Sequence, residues 1–151
     1  MSEVMAFERA LAYGQEVYDE LRFLDPRDFD WWTAAKQLIE SGVFTVPQVA
    51  ALVNKDPVYV RQKTLAEYGR TEGVRTRGGV SGKFNPETLM DIRMLRTDHF
   101  SYQSKRLPSH LEDRVVELLK KGNGVRLLAH LTGIPDYKIN RIRRDHAARG
   151  Q

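Results

Sequence analysis

The chain has 151 residues, 41% of them apolar, with two Trp, six Phe, no Cys and a net charge of +4. That size fits one ordinary domain or two very small ones, and the apolar content excludes wholesale disorder. Without cysteine there is no disulfide framework, thiol nucleophile or Cys-type zinc site, and no run of about 18 apolar residues exists to span a membrane as a helix.

Charge is unevenly distributed. Residues 1–30 carry 3 basic and 8 acidic side chains, residues 31–68 carry 4 and 3, and residues 69–151 carry 17 and 9. An acidic start is thus followed by a strongly basic C-terminal half, which points to a polyanionic partner for the latter. The first fifteen residues lack a basic stretch followed by an apolar core, so no signal peptide is expected. The expected setting is cytoplasmic.

In chain order, Val4, Phe7, Leu11, Val17, Tyr18 and Leu21 recur at helical steps and predict an amphipathic helix over 3–23. "DPRDFD" (25–30) stops it, and a second helix starts at Asp30 with Trp31, Trp32, Ala35, Leu38 and Ile39 on its apolar side. A partner-binding patch of both tryptophans is one reading, but one of them is expected in the first domain's core. Two short helices, 46–53 and 57–69, follow across "NKD". Residues 69–83 hold five Gly and four Lys or Arg with almost nothing to bury, the composition of a linker. Asn85 and Pro86 then open a helix as N-cap and first residue. "SHLEDRVVELLKKGNG" reads as a helix opened by a Ser109–Glu112 capping box. Two further helices, about 124–131 and 136–147, close the chain.

The final pair carries the motif. In a helix-turn-helix, a small residue lets two helices approach, a residue tolerant of left-handed backbone makes the turn, and apolar residues seat the second helix. Ala129, Gly133 and Ile134, with Ile139 and Ile142, occupy those positions. Tyr137, Asn140, Arg141 and Arg144 then face outward with Asp136, where a DNA major groove would lie. Arg forks onto guanine and Asn onto adenine. Lys138, Arg143 and Arg149 suit phosphate.

An offset of 79 residues produces an echo: Ala50 falls on Ala129, Leu52 on Leu131, Asn54 on Gly133 and Val60 on Ile139. The first unit's outward residues are Val58, Tyr59, Arg61, Gln62 and Lys63. Lys55 and Lys63 stand where Ile134 and Ile142 stand, so Leu65 or Thr64 must anchor the helix end. The expected architecture is therefore all-α, with two small helical domains, 1–68 and 85–151, joined by a basic linker over 69–84. Each contains a helix-turn-helix, about 46–67 and 124–147. Extended, the 15 residues of 69–83 reach roughly 50 Å. That exceeds the ~34 Å of one turn of DNA. Arg70, Arg75, Arg77 and Lys83 would follow the backbone or minor groove, unless the segment is simply a solvated spacer.

Other constellations carry less. The four His show no metal-ligand spacing, "GGVSG" (78–82) is not a phosphate-binding loop, and the paired carboxylates sit at helix starts, where capping explains them. No cofactor, metal or enzymatic activity is expected.

The arrangement resembles the immunity repressors of cluster A mycobacteriophages over most of the chain. The resemblance rests on "VPQVAALVNKDPVYVRQK" (46–63), the Gly/Arg linker and "LTGIPDYKINRIRRDH" (131–146). It implies a repressor that maintains lysogeny and superinfection immunity in a bacterial host, associated with the nucleoid. Such proteins bind an operator and many related asymmetric sites that are thought to block transcript elongation. The carry-over extends only to the reading helices 57–67 and 136–146. Because the two outward surfaces differ, one chain is expected to read an asymmetric double-stranded site as a monomer. The rival reading is an adaptor whose acidic N-terminal helix contacts a protein such as RNA polymerase, with only one DNA-reading unit.

Overall fold

The computed structural model describes residues 3–24, 27, 29–69, 79–100, 102 and 106–149. Among these, all regular structure is helical, in eight α-helices and one short 3-10 turn. The chain divides into two compact units, Met1–Val80 and Ser81–Gln151.

The first unit holds α1 (Glu3–Phe23), α2 (Trp31–Glu40), α3 (Val46–Leu52) and α4 (Pro57–Tyr68). Each of the last three starts on a side-chain cap that satisfies otherwise orphaned N–H groups. Asp30 accepts from the Thr33 backbone at 3.2 Å and from its hydroxyl at 2.6 Å. Thr45 and Gln48 form a reciprocal capping box at the start of α3. Asp56 accepts from Val58 N at 2.8 Å to open α4, which ends at left-handed Gly69. Short α3 is the centre of the unit and touches α1, α2 and α4. Its Val49, Ala50 and Leu52 are fully buried, together with Leu11, Leu38 and Val60 from its neighbours.

The second unit begins with Asn85 capping the 3-10 turn Pro86–Thr88, which leads into α5 (Leu89–Phe100). It continues through α6 (Ser109–Lys120), α7 (Val125–Thr132) and α8 (Asp136–Arg149). Helix α5 packs on α6 and α7, and α8 packs on the same two. Leu89, Ile92, Leu111, Leu127, Leu131 and Ile139 fill the interior. Buried Asn123 ties the unit's entry to the α6–α7 connection. Its amide donates to Thr88 Oγ1 at 3.0 Å and Leu118 O at 2.9 Å, and its carbonyl accepts from Asn85 N at 3.0 Å.

One expectation fails here. The Ser109–Glu112 capping box does not form, because α6 begins one residue too early for it. Pro108 holds the cap position and its carbonyl takes the Leu111 and Glu112 N–H groups, which leaves Ser109 inside the first turn. Glu112 is instead a buried carboxylate, with Arg106 at 3.7 Å and Arg149 at 3.9 Å, so capping does not explain it.

The expected linker, 69–84, lies largely outside the described residues (70–78), and its last part is held by contacts. Gly79 and Val80 are seated on the first unit. Gln48 Nε2 donates to Val80 O at 2.8 Å, and a Cβ on Gly79 would sit 2.5 Å from the Phe44 carbonyl carbon, so only glycine fits there. Lys83 is fastened to the second unit by its carbonyl, which accepts from Gly124 N at 2.9 Å. Asn85 Nδ2 adds a bond to Lys121 O at 2.8 Å. Only Ser81 and Gly82 separate these anchor points along the chain.

Candidate nucleic-acid interface

The two helix pairs singled out by the 79-residue offset, α3–α4 and α7–α8, turn in the same way. Asn54 (φ 55°) is the one non-glycine with positive φ among the described residues, and its counterpart Gly133 has φ 83°. An L side chain rarely adopts this conformation unless it is Asn or Asp, whose short polar side chain makes the cost smaller. Each turn closes onto the preceding helix, at the turn residue itself in one unit and one residue later in the other: Gly133 N donates to Ala129 O at 2.9 Å, and Lys55 N to Ala50 O at 3.0 Å. Leu52 and Leu131 are fully buried before the turns, and Val60 and Ile139 after them.

In the second unit the turn is plugged and clamped. Ile134 is fully buried, and Ile139 and Ile142 seat α8 from one face. From α5, buried Arg96 donates through Nη1 to Leu131 O at 3.1 Å, and its guanidinium lies 5.0 Å from the Phe100 ring centroid. This supplies the C-terminal end of α7 with a cation on one of its exposed carbonyls. His99, three residues further along α5, is buried as well, and its Nδ1 has no hydrogen-bond partner. Burial holds its imidazole below the usual histidine range, helped by the positive charges of Lys138 and Arg96 and opposed by the Gly133 backbone.

Seated in this way, α8 leaves Tyr137 66% exposed, with Arg143 and Arg144 also exposed. Lys138, Asn140 and Arg141 are half-buried. Arg141 Nε is covered and makes no hydrogen bond, so this side chain rises out of the packing instead of lying free on the surface. Arg149, expected at phosphate, turns back toward Glu112. A long cation beside a buried carboxylate gains more than one left in water.

The first unit seats α4 differently. Thr64, with Val60, anchors it, and the Thr64 hydroxyl donates to Val60 O at 2.7 Å, whereas Leu65 is exposed. The buried positions are four residues apart in α4 but three apart in α8, so the 79-residue correspondence lapses after Val60. Val58 is 64% exposed, matching Tyr137, and Tyr59, Arg61 and Gln62 are exposed with it.

Lys63 is half-buried because it lies against rings: its Nζ is 5.3 Å from the Trp32 centroid, 5.6 Å from Trp31 and 5.7 Å from Tyr59. Lys55 Nζ is 5.3 Å from Trp31. The tryptophans are therefore not core residues as expected. Both are half-exposed, pack edge to face, and form a shelf beneath α4. That shelf explains how Lys55 and Lys63 occupy positions that the second unit fills with isoleucine: their alkyl stems and ammonium groups are accommodated on ring faces.

Of the other expected contacts, Arg70, Arg75 and Arg77 lie outside the described residues, and Lys83 is exposed. Sequence reasoning missed Arg96, His99 and the tryptophan shelf. The signal for the first two was faint: they sit three residues apart on one helix, facing a turn more than thirty residues downstream. No three metal-ligating side chains converge among the described residues, and no helix there is long and apolar enough to cross a membrane. Compared with protein-family models, curated proteins and solved structures, the chain matches none.

Proposed function

We propose that the chain is a sequence-specific double-stranded DNA-binding repressor that reads an asymmetric site with two unlike helix-turn-helix units, α3–α4 and α7–α8. The observation that carries this reading is the register-matched pair of left-handed turns, Asn54 and Gly133. Each is followed by a helix seated through one face, with an outward residue, Val58 or Tyr137, about two-thirds exposed. Such a helix is held from behind and free in front, which is what major-groove insertion requires. Val58, Arg61 and Gln62 in one unit and Tyr137, Asn140, Arg141 and Arg144 in the other offer different chemistries, so a single chain reads two different half-sites. Lys138 and Arg143 flank the second reader as phosphate contacts. Repression is physical: the bound chain obstructs polymerase. The repressor role, phage setting and nucleoid location rest on the sequence resemblance.

Arg141→Ala is expected to weaken binding to the preferred duplex by about 1–3 kcal/mol and to relax preference at one base pair. Arg61→Ala should do the same at a different position, measured by fluorescence anisotropy at fixed salt. Unchanged affinity in both variants sinks the two-reader proposal.

One observation favours the adaptor reading as a second possibility. At the end of acidic α1, Phe23 is 81% exposed with Leu24 beside it, an apolar tip on an acidic helix. This is suited to a protein partner and not to DNA.

A further inference from the structure

We propose that Lys55 and Lys63, held on Trp31, Trp32 and Tyr59, form a seat for the DNA backbone beside the reading helix α4, each lysine neutralising one phosphate. The assignment rests on the DNA-binding reading; it adds Lys55, which the sequence pattern treated only as a misfit, and gives outward-facing Lys63 a defined role.

Both ammonium groups lie within 5.6 Å of the Trp31 centroid, and Lys63 also lies against Trp32 and Tyr59. Ring faces attract cations through their quadrupoles but carry no net charge, so the two positive charges remain uncompensated. The acids best placed to neutralise them are otherwise engaged. Asp56, next to Lys55, caps α4 through the Val58 N–H. Glu67, one turn beyond Lys63, pairs with Lys36 at 3.9 Å. Among the described residues neither Lys55 nor Lys63 has a carboxylate within 4.0 Å.

A protein that only needed to pack this corner would use apolar residues, as the second unit does with Ile134 and Ile142. Two half-exposed cations gathered on an aromatic shelf without an acid are instead suited to an incoming anion. The shelf restrains long, flexible side chains before binding, which lowers the entropy lost when they contact it. The groups also border the exposed face that carries Val58, Arg61 and Gln62, so a duplex engaged by that face presents its backbone beside them. Trp31, Trp32 and Tyr59 act as positioning residues, and the lysines make the contact.

The test uses the full chain and a mixed-sequence duplex, with binding measured across a range of salt. Lys55→Gln and Lys63→Gln should each reduce the slope of log affinity against log salt by about 0.9. The double variant should lose roughly twice that. Trp31 and Trp32 are the only tryptophans in the chain, so emission excited selectively at tryptophan, leaving the six tyrosines unexcited, reports on this shelf alone. Saturating duplex should shift the emission of the unsubstituted protein, and the shift should vanish in the double lysine variant while that variant still binds duplex.

Inorganic phosphate should leave the emission unchanged; a shift equal to that with duplex would reassign the seat to a free phosphate. If the unsubstituted chain binds duplex but both lysine variants retain its full salt slope, the seat is wrong while the DNA reading stands. If the unsubstituted chain binds no duplex at any salt, the DNA reading falls and takes the seat with it.

Discussion

The two helix pairs reach one turn geometry by different physical means. In α7–α8 the turn is a glycine, plugged by fully buried Ile134 and clamped from α5 by Arg96, with His99 buried nearby. In α3–α4 it is an asparagine, and its surroundings are half-exposed: two lysines resting on a tryptophan shelf. The turn itself tolerates few residue types, because positive φ penalises most side chains. What surrounds it need only fill space, which both solutions do, although in the second unit His99 Nδ1 and Arg141 Nε stay buried without a hydrogen-bond partner. The second unit relies on buried contacts, whereas the first leaves charge at the surface.

The largest effect expected from breaking this comparison is in the buried seat. Ile139→Ala removes a fully buried side chain and should cost the second unit roughly 2–5 kcal/mol. Urea unfolding should show the loss, with hydrogen exchange placing it in α7 and α8 and sparing α3 and α4. Equal loss of protection in both units would mean that they do not unfold separately.

Next is the turn. Gly133→Ala meets no clash, since a Cβ would sit 3.7 Å from the Phe100 ring, but it forces φ 83° on an L residue. The expected cost is about 1–2 kcal/mol by thermal unfolding. Asn54→Gly should change stability by only a few tenths of a kcal/mol, because asparagine already tolerates φ 55°. A larger loss for Asn54→Gly than for Gly133→Ala would show that the two turns are not equivalent.

The comparison also shows what was legible beforehand. Helix boundaries, the caps at Asp30 and Asn85, and the paired turns were readable because capping residues and left-handed positions leave local marks. The Ser109–Glu112 box misled because the same four residues fit a cap only if the helix starts at the right place, and Pro108 moves that start. Gly79 looks like flexible spacer in composition, but here it is glycine because a backbone passes against it. One of Trp31 and Trp32 was expected in the core on hydrophobicity alone, and the lysines that cover their faces come from a different helix and its preceding loop.

A smaller effect should be pH-dependent and confined to the second unit. The native pKa of His99 is depressed below the 6.5 of an unperturbed histidine, so the folded state holds the neutral ring. Below 6.5 the unfolded chain binds the proton more readily, and stability should decline from there until the native group also titrates. The decline is at most about 1.4 kcal/mol per pH unit. His99→Gln should remove that component from a pH series of urea melts, whereas an identical pH series in the variant would assign the effect elsewhere.

The central claim is that two unlike readers on one chain address one asymmetric site. Selection from random duplexes at a fixed salt concentration, using the full chain, tests it most directly. The account predicts an asymmetric consensus in which Arg61→Ala relaxes one half and Arg141→Ala the other. A palindromic consensus, with both substitutions relaxing symmetry-related positions, would contradict it.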